Sequence, residues 1–201
     1  MRLSTGDEWA TLPLDSILVG TSRTRSYDSL VTDSAAGAQA FSCAMKGYNG
    51  GIGVDPVTLA PCGTILEAAH DAGYLTGLAV TSRITHATPA VWNSHVVDRN
   101  MESEIAIFQA GAGPLGVTTD LMLGGGECFF RSKSDALSCR NDDRDLIAEA
   151  QSNGYHVLSS PSAAEEFYSA TKKGVLPLPV LGFFNRDHMN YEYVHSLSCL
   201  R

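Results

Sequence analysis

The sequence predicts an α/β fold, a mostly parallel sheet with helices on both faces. Three observations point there. Stretches of helical period alternate with short apolar runs bounded by glycine. The apolar runs are continuous rather than alternating, the pattern of strands buried on both sides. No internal repeat or linker divides the 201 residues, which therefore form one domain or a piece of one.

Taken in order, residues 1–21 read as an irregular, polar N-terminal segment, with Leu12 to Val19 its only candidate strand. Ser34 to Lys46 suits a tightly packed helix on which Ala36, Ala40, Cys43 and Ala44 share a face. Ser34 stands where hydroxyls cap, and the turn from Tyr48 to Gly53 ends the helix. Gly63 to Gly73 is a short helix with a stripe of Ile65, Leu66, Ala69 and Ala72 and a glycine C-cap. Leu75 to Thr81 is a buried strand. Thr88 and Pro89 look like the N-cap and first residue of a helix running to about Arg99. Leu121 to Leu123 is a strand stopped by Gly124 to Gly126. The rhythm then repeats: a helix over Asp143 to Asn153 closed by Gly154, a strand over Tyr155 to Leu158, a helix over Ser162 to Thr171. Val175 to Phe184 contains two prolines, so only Val180 to Phe184 is a good strand.

Lysine and arginine total 14 against 22 acidic residues, a net charge of −8. With no basic run, the chain offers no surface for nucleic acid, although one or two placed arginines suffice for a small phosphate. Hydrophobic residues at 44% and charged residues at 18% mark a folded chain rather than a disordered one. Cys43, Cys62, Cys128, Cys139 and Cys199 are odd in number and lack CxxC spacing. Cys128 and Cys139 either bridge a loop or stay free, which leaves the redox compartment open. The start, MRLSTGDEWATLPLDS, lacks the basic and apolar stretches of a signal peptide. No uncharged apolar run of about 18 residues is present to span a bilayer. As given, the chain reads as soluble, without a membrane anchor.

The stretch with chemistry is VTDSAAGAQAF, Val31 to Phe41. It sets a serine at a helix start, after an aspartate and before residues with almost no side chain. Free backbone N–H groups and the positive end of the helix dipole face such a serine, and Ala35, Ala36 and Gly37 let an anion approach the backbone. On position alone, a plain N-cap is the competing reading. A serine-esterase elbow fails because Thr32 and Ala36 stand where glycines belong. A phosphate loop fails because Glu127 and Cys128 follow Gly124 to Gly126.

The run SRTRSYDSLVTDSAAGAQAFSCAMKGYNGGIGVDP, Ser22 to Pro56, resembles the active-serine segment of alkaline phosphatases and is especially similar to the fungal, vacuolar branch. The similarity continues through CGTILEAAHDAGYLTGLAVTSRITHATPA, SHVVDR, LMLGGG, RDLIAEAQSNGY and LPLPVLGFF. It covers residues 22–191 as a partial domain and leaves 192–201 as a non-matching tail. The resemblance implies an alkaline-phosphatase-like three-layer sandwich, incomplete here, that hydrolyses phosphate monoesters through a phosphoserine. By position, Ser34 matches the nucleophile, which in the family also binds zinc, and Asp33 matches the aspartate that orients the phosphate-binding arginine. Arg99 in HVVDR matches that arginine, whose planar fork suits two oxygens of a phosphate. Thr88 in THATP matches a hydroxyl ligand of the magnesium site. His86 matches a position near that ion, where histidine weakens binding of a cation that prefers hard oxygens. From the residues alone, Arg99 is a helix-terminal cation, His86 a loop histidine and Thr88 a cap. His70, His95, His156, His188 and His195 read as structural or exposed, and Gly124 to Gly126 as architectural.

The resemblance also implies zinc and magnesium as cofactors, a homodimer, and a vacuolar location. Most of the metal ligands it implies have no counterpart here: there is no Asp-Gly-x-Gly before the serine, and no Asp-His-Ala/Gly-x-His cluster or Asp-His-Ser after it. The expectation is a truncated gene model, a pseudogene product or a partial sequence, inactive alone; the alternative is a non-enzymatic fragment with weak phosphate binding.

Overall fold

The computed structural model describes residues 11–159, 162–174 and 177–191. Expectations for residues 1–10, Val175, Leu176 and the tail with His195 and Cys199 fall outside the described residues. Four parallel strands are ordered β1-β2-β4-β3, with β1 Gly77–Arg83, β2 Leu121–Gly125, β3 His156–Leu158 and β4 Val180–Asn185. The helices are α1 Ser34–Ser42, α2 Ile65–Asp71, α3 Ala87–Ala90, α4 Glu102–Gln109, α5 Leu146–Ser152 and α6 Ala163–Lys172.

Strand alternation sends each strand's side chains to two faces. Met122, Leu181 and Phe183 point to one, where Ala106 of α4 and Leu146 and Ala150 of α5 close a core around Phe130 and Tyr155. The Phe130 and Phe183 rings lie 4.7 Å apart, and full burial of one such ring is worth about 1.5–3 kcal/mol. The other face carries Leu121, Leu123, Val180 and Phe184, covered by Phe167 of α6. The expected three layers are therefore present over β2, β4 and β3. At β1 the second face stays open, and Gly77, Ala79 and Thr81 are exposed.

A second core joins α1 to α3. Ala35 and Ala38 meet Ala87, Ala90 and Val91, with Ile52, Val96 and Ile105 around them. Small side chains on both helices permit this close approach. Several expectations shift. The N-cap of α1 is Asp33, not Ser34: its carboxylate accepts the Ala36 N–H at 2.9 Å and moves the serine to the first helical position. The buried face is Ala35, Ala36, Ala38, Gln39 and Ser42, while Ala44 is exposed at φ 54°. On α2 only Leu66 is buried and Ile65 is 62% exposed. The expected Gly73 cap holds, at φ 81°. Leu12 to Val19 is no strand but a 3-10 turn over Pro13–Ile17 with its apolar side chains exposed. The helix expected from Thr88 to Arg99 stops at Ala90, because Val96 pairs antiparallel with Ile52 instead. Cys43 bridges Cys62, and Cys128 bridges Cys139.

The loop between these cores is locked by His95. Its Nδ1 faces the Gly53 carbonyl and its Nε2 the Glu67 carboxylate, both at 2.7 Å. Two acceptors require two ring protons, so the ring is an imidazolium. Burial alone would lower its pKa, but the Glu67 and Gly53 hydrogen bonds prevail and raise it above 6.5. Burial likewise opposes, and the His95 and Thr64 hydrogen bonds outweigh, giving Glu67 a pKa below 4.5. Glu67 also completes a capping box with Thr64 on α2. The His95 contribution to stability is complete below pH 6.5 and is lost as pH rises through the raised value. The Glu67 contribution is present above pH 4.5 and lost as pH falls through the lowered value. Thermal unfolding of the wild-type chain should therefore give a higher Tm near pH 6 than near pH 9, a difference that His95→Gln largely removes; equal pH slopes in both proteins would refute the imidazolium clamp.

Candidate active site

The carboxyl ends of three adjacent parallel strands deliver their loops to one edge, where open α/β sheets commonly place their sites. Gly124 to Gly126 make that convergence possible. A Cβ on Gly125 would lie 2.0 Å from the Asp187 carbonyl oxygen, and one on Gly124 would lie 2.7 Å from Ile84. Gly126 takes φ 97° and donates its N–H to the Asn185 and Asp187 carbonyls. These glycines are architectural, as the sequence suggested, and the architecture is that of the site edge.

Asp33 organises the other side. Its Oδ1 caps α1 through the Ala36 N–H, and its Oδ2 accepts the Gly50 N–H at 3.0 Å and Arg99 Nη1 at 3.0 Å. The Arg99 backbone N–H donates to the Gly50 carbonyl at 2.7 Å, so main chain and side chain are fixed by one neighbouring loop. Arg99 Nη2 lies 3.0 Å from His86 Nε2. Because a guanidinium only donates, that imidazole nitrogen accepts and the ring is neutral, with its proton on Nδ1. Burial and then the Arg99, Arg83 and His188 charges hold its pKa below 6.5, in agreement with that assignment.

Among the sequence-selected residues, Asp33, Arg99 and His86 thus form one hydrogen-bonded chain. Ser34 follows Asp33 as the first residue of α1 and is partly exposed, with no hydrogen-bond partner for its hydroxyl among the described residues. Alanine packing of α1 on α3 brings its end of the helix towards the His86 turn. Thr88 is exposed on α3 and joins no described hydrogen bond. It is also not the cap of that helix, since His86 occupies the N-cap position without a side-chain bond.

The sequence missed the supporting cluster. Arg83 at the end of β1 grips Glu102 through Nε at 2.8 Å and Nη2 at 2.7 Å, and Asp187 through Nη1 at 2.7 Å. Thr85 donates to Glu102 at 2.6 Å. His188, read as structural or exposed, takes the Arg83 backbone N–H on Nδ1 at 3.1 Å and sets its ring 5.3 Å from that of His86. The only sequence signal available for this pairing was the helical periodicity of residues 102–109, which marks α4 but not its ion pair.

A metal fits these residues poorly. No three His, Cys, Asp or Glu side chains converge among the described residues. His86 Nε2 is already taken by Arg99, and Arg83 and Thr85 occupy both oxygens of Glu102. The arrangement is instead suited to an anion, because Arg99 retains donors with no partner among the described residues, beside the N-terminus of α1.

Comparison with known proteins gives the same direction. A family model described as alkaline phosphatase matches residues 3–197. The chain is 51% identical over 182 residues to the alkaline phosphatase of Schizosaccharomyces pombe, covering 90% of this chain and 33% of that protein. It is 50% identical over 193 residues to the repressible alkaline phosphatase of Saccharomyces cerevisiae, covering 90% and 34%. Among solved structures, a variant of the alkaline phosphatase of the Antarctic bacterium TAB5, with a histidine replaced by glutamate and magnesium bound in its M3 site, superposes with TM-score 0.72 at 29% identity, over 93% of this chain and 49% of that one. The chain spans about a third of the length of the curated relatives it matches.

The Asp33 junction makes a stability prediction. Asp33→Ala strands the Ala36 and Gly50 N–H groups and the Arg99 guanidinium, and should cost about 2 kcal/mol. Asp33→Asn keeps a carbonyl oxygen for the cap and should cost about 1 kcal/mol or less. Urea unfolding distinguishes the two, and equal losses would show that the cap contributes nothing and the charged contact to Arg99 alone matters.

Proposed function

The chain belongs to the alkaline phosphatase family, and from that premise we propose that it carries the phosphoryl-accepting part of a phosphate monoester hydrolase. The observation behind this reading is the shared carboxylate of Asp33, which ties the helix start that presents Ser34 to the guanidinium of Arg99. An anion set against that helix start meets the guanidinium fork, and a serine oxygen stands at its border.

In the proposed reaction Ser34 Oγ forms a bond to phosphorus while the bond from phosphorus to the alcohol oxygen breaks, and the alcohol departs with a proton. Water then cleaves the phosphoserine, releasing inorganic phosphate and restoring the hydroxyl. Arg99 holds two phosphate oxygens throughout, and Asp33 keeps its fork aligned. Neutral His86 steadies Arg99 from the other side without adding charge. The site grips the phosphate group, so the reading names phosphate monoesters as a class and no particular alcohol.

Zinc and magnesium enter this reading through the family alone, in which Ser34 matches the zinc-bound oxygen and Thr88 and His86 match the edge of a magnesium site; in this chain His86 is engaged by Arg99 instead. These residues alone do not make a cage. A homodimer and a vacuolar location belong to the same family-based reading. No described helix is long and apolar enough to cross a membrane.

A second reading, phosphate binding without turnover, is favoured by the lack of a three-ligand metal group among the described residues. A serine hydroxyl without an activating partner is a weak nucleophile. Arg99 binds ground and transition states with little discrimination. With a chromogenic phosphate monoester, zinc and magnesium, the 201-residue chain should therefore turn over no faster than buffer. Zinc-dependent turnover that disappears in Ser34→Ala would establish catalysis by this chain and end the second reading.

A further inference from the structure

One side chain holds the serine turn to the loop that carries Gly50. Asn49 accepts the Asp33 N–H on Oδ1 at 3.2 Å and donates from Nδ2 to the Val31 carbonyl at 2.9 Å. It bridges the turn just before Ser34 as a neighbouring strand would. The carboxamide can face only one way, since reversal would set donor against donor and acceptor against acceptor. Its own N–H donates to Asp28 Oδ1 at 3.0 Å. Asp28 also takes the hydroxyl of Ser26, which is 1% exposed and bonded to the Ser29 backbone. The anchor beneath Asn49 is therefore fixed. The Asn49 N–H, followed by the Ser26 hydroxyl, lowers the Asp28 pKa, so the anchor stays an acceptor.

The next residue completes the link. Gly50 gives its N–H to Asp33 Oδ2 at 3.0 Å and its carbonyl to the Arg99 N–H at 2.7 Å. It does so at φ 93°, a conformation that glycine adopts without strain. Two consecutive residues thus hold the serine turn with one hand and the arginine with the other.

Resting on the phosphate-site reading above, we propose that Asn49 is a positioning residue, one that sets the separation of Ser34 and Arg99 by clamping Val31 and Asp33 against the Gly50 peptide. It acts through Asp33 and Arg99 and does not contact the anion. Removing its carboxamide frees the serine turn to move relative to Arg99 while the sheet remains intact.

The test uses the full 201-residue chain with Asn49→Ala and Asn49→Gln, the latter keeping both polar groups one carbon too far out. In each variant, amide exchange at Ala36 and Gly50, the two backbone donors to the Asp33 carboxylate, should accelerate about tenfold, with Met122 and Leu181 in the sheet unchanged. Affinity for inorganic phosphate by calorimetry should fall about tenfold, the equivalent of one net hydrogen bond. Unchanged exchange at Ala36 and Gly50 overturns the proposal. So does loss of protection throughout the sheet in both variants, which would make Asn49 a support of the fold and not of the site. A wild-type chain that fails to bind inorganic phosphate contradicts the phosphate-site reading alone, and the exchange measurement still decides the role of Asn49.

Discussion

One carboxylate carries most of the geometry described here. Asp33 receives hydrogen bonds from Ala36, Gly50 and Arg99, groups that belong to a helix, a glycine loop and a distant turn. All three partners donate, and a charged acceptor binds each more strongly than a neutral one. The backbone N–H of Asp33 is itself held by Asn49. The residue that follows this junction is Ser34, which consequently has little freedom of placement.

The sheet supplies a matching constraint from the opposite side. Parallel strands end at a common edge, and the turns leaving β1, β2 and β4 compete there for space. Three successive glycines after Leu123 resolve the competition, since a side chain at the middle position would collide with the Asp187 backbone. Their compactness lets Arg83 reach both Glu102 and Asp187, and that pairing in turn seats His188 beside His86. His86 then meets Arg99 as a neutral acceptor, so the arginine is held between a carboxylate and an imidazole. Two separately packed cores therefore meet at a single guanidinium.

Much of this was legible in the residues, for identifiable reasons. Strands β2, β3 and β4 announce themselves because each is a short apolar run with glycine or proline beside it. Ser34, Asp33 and Arg99 were singled out through motif likeness, and the fold sets a hydrogen bond between Asp33 and Arg99. What sequence periodicity missed depends on long-range partners. Ser34 looks like a cap until Gly50 and Arg99 are seen to favour the preceding carboxylate. Residues 91–99 look helical until Ile52 claims Val96. His188 looks idle because 102 positions of chain separate it from His86, and only the sheet register closes that gap. Asn49 sits in a stretch that reads simply as a turn, and nothing local distinguishes a turn from a clamp.

The central claim is that the Ser34 hydroxyl and the Arg99 guanidinium address the same tetrahedral anion. A crystal of the chain soaked with tungstate, an electron-dense phosphate mimic, tests this without requiring turnover. The account predicts one bound anion within about 3 Å of both Ser34 Oγ and the Arg99 nitrogens. An anion held by only one of the two groups, with the other turned into a separate region, would contradict it.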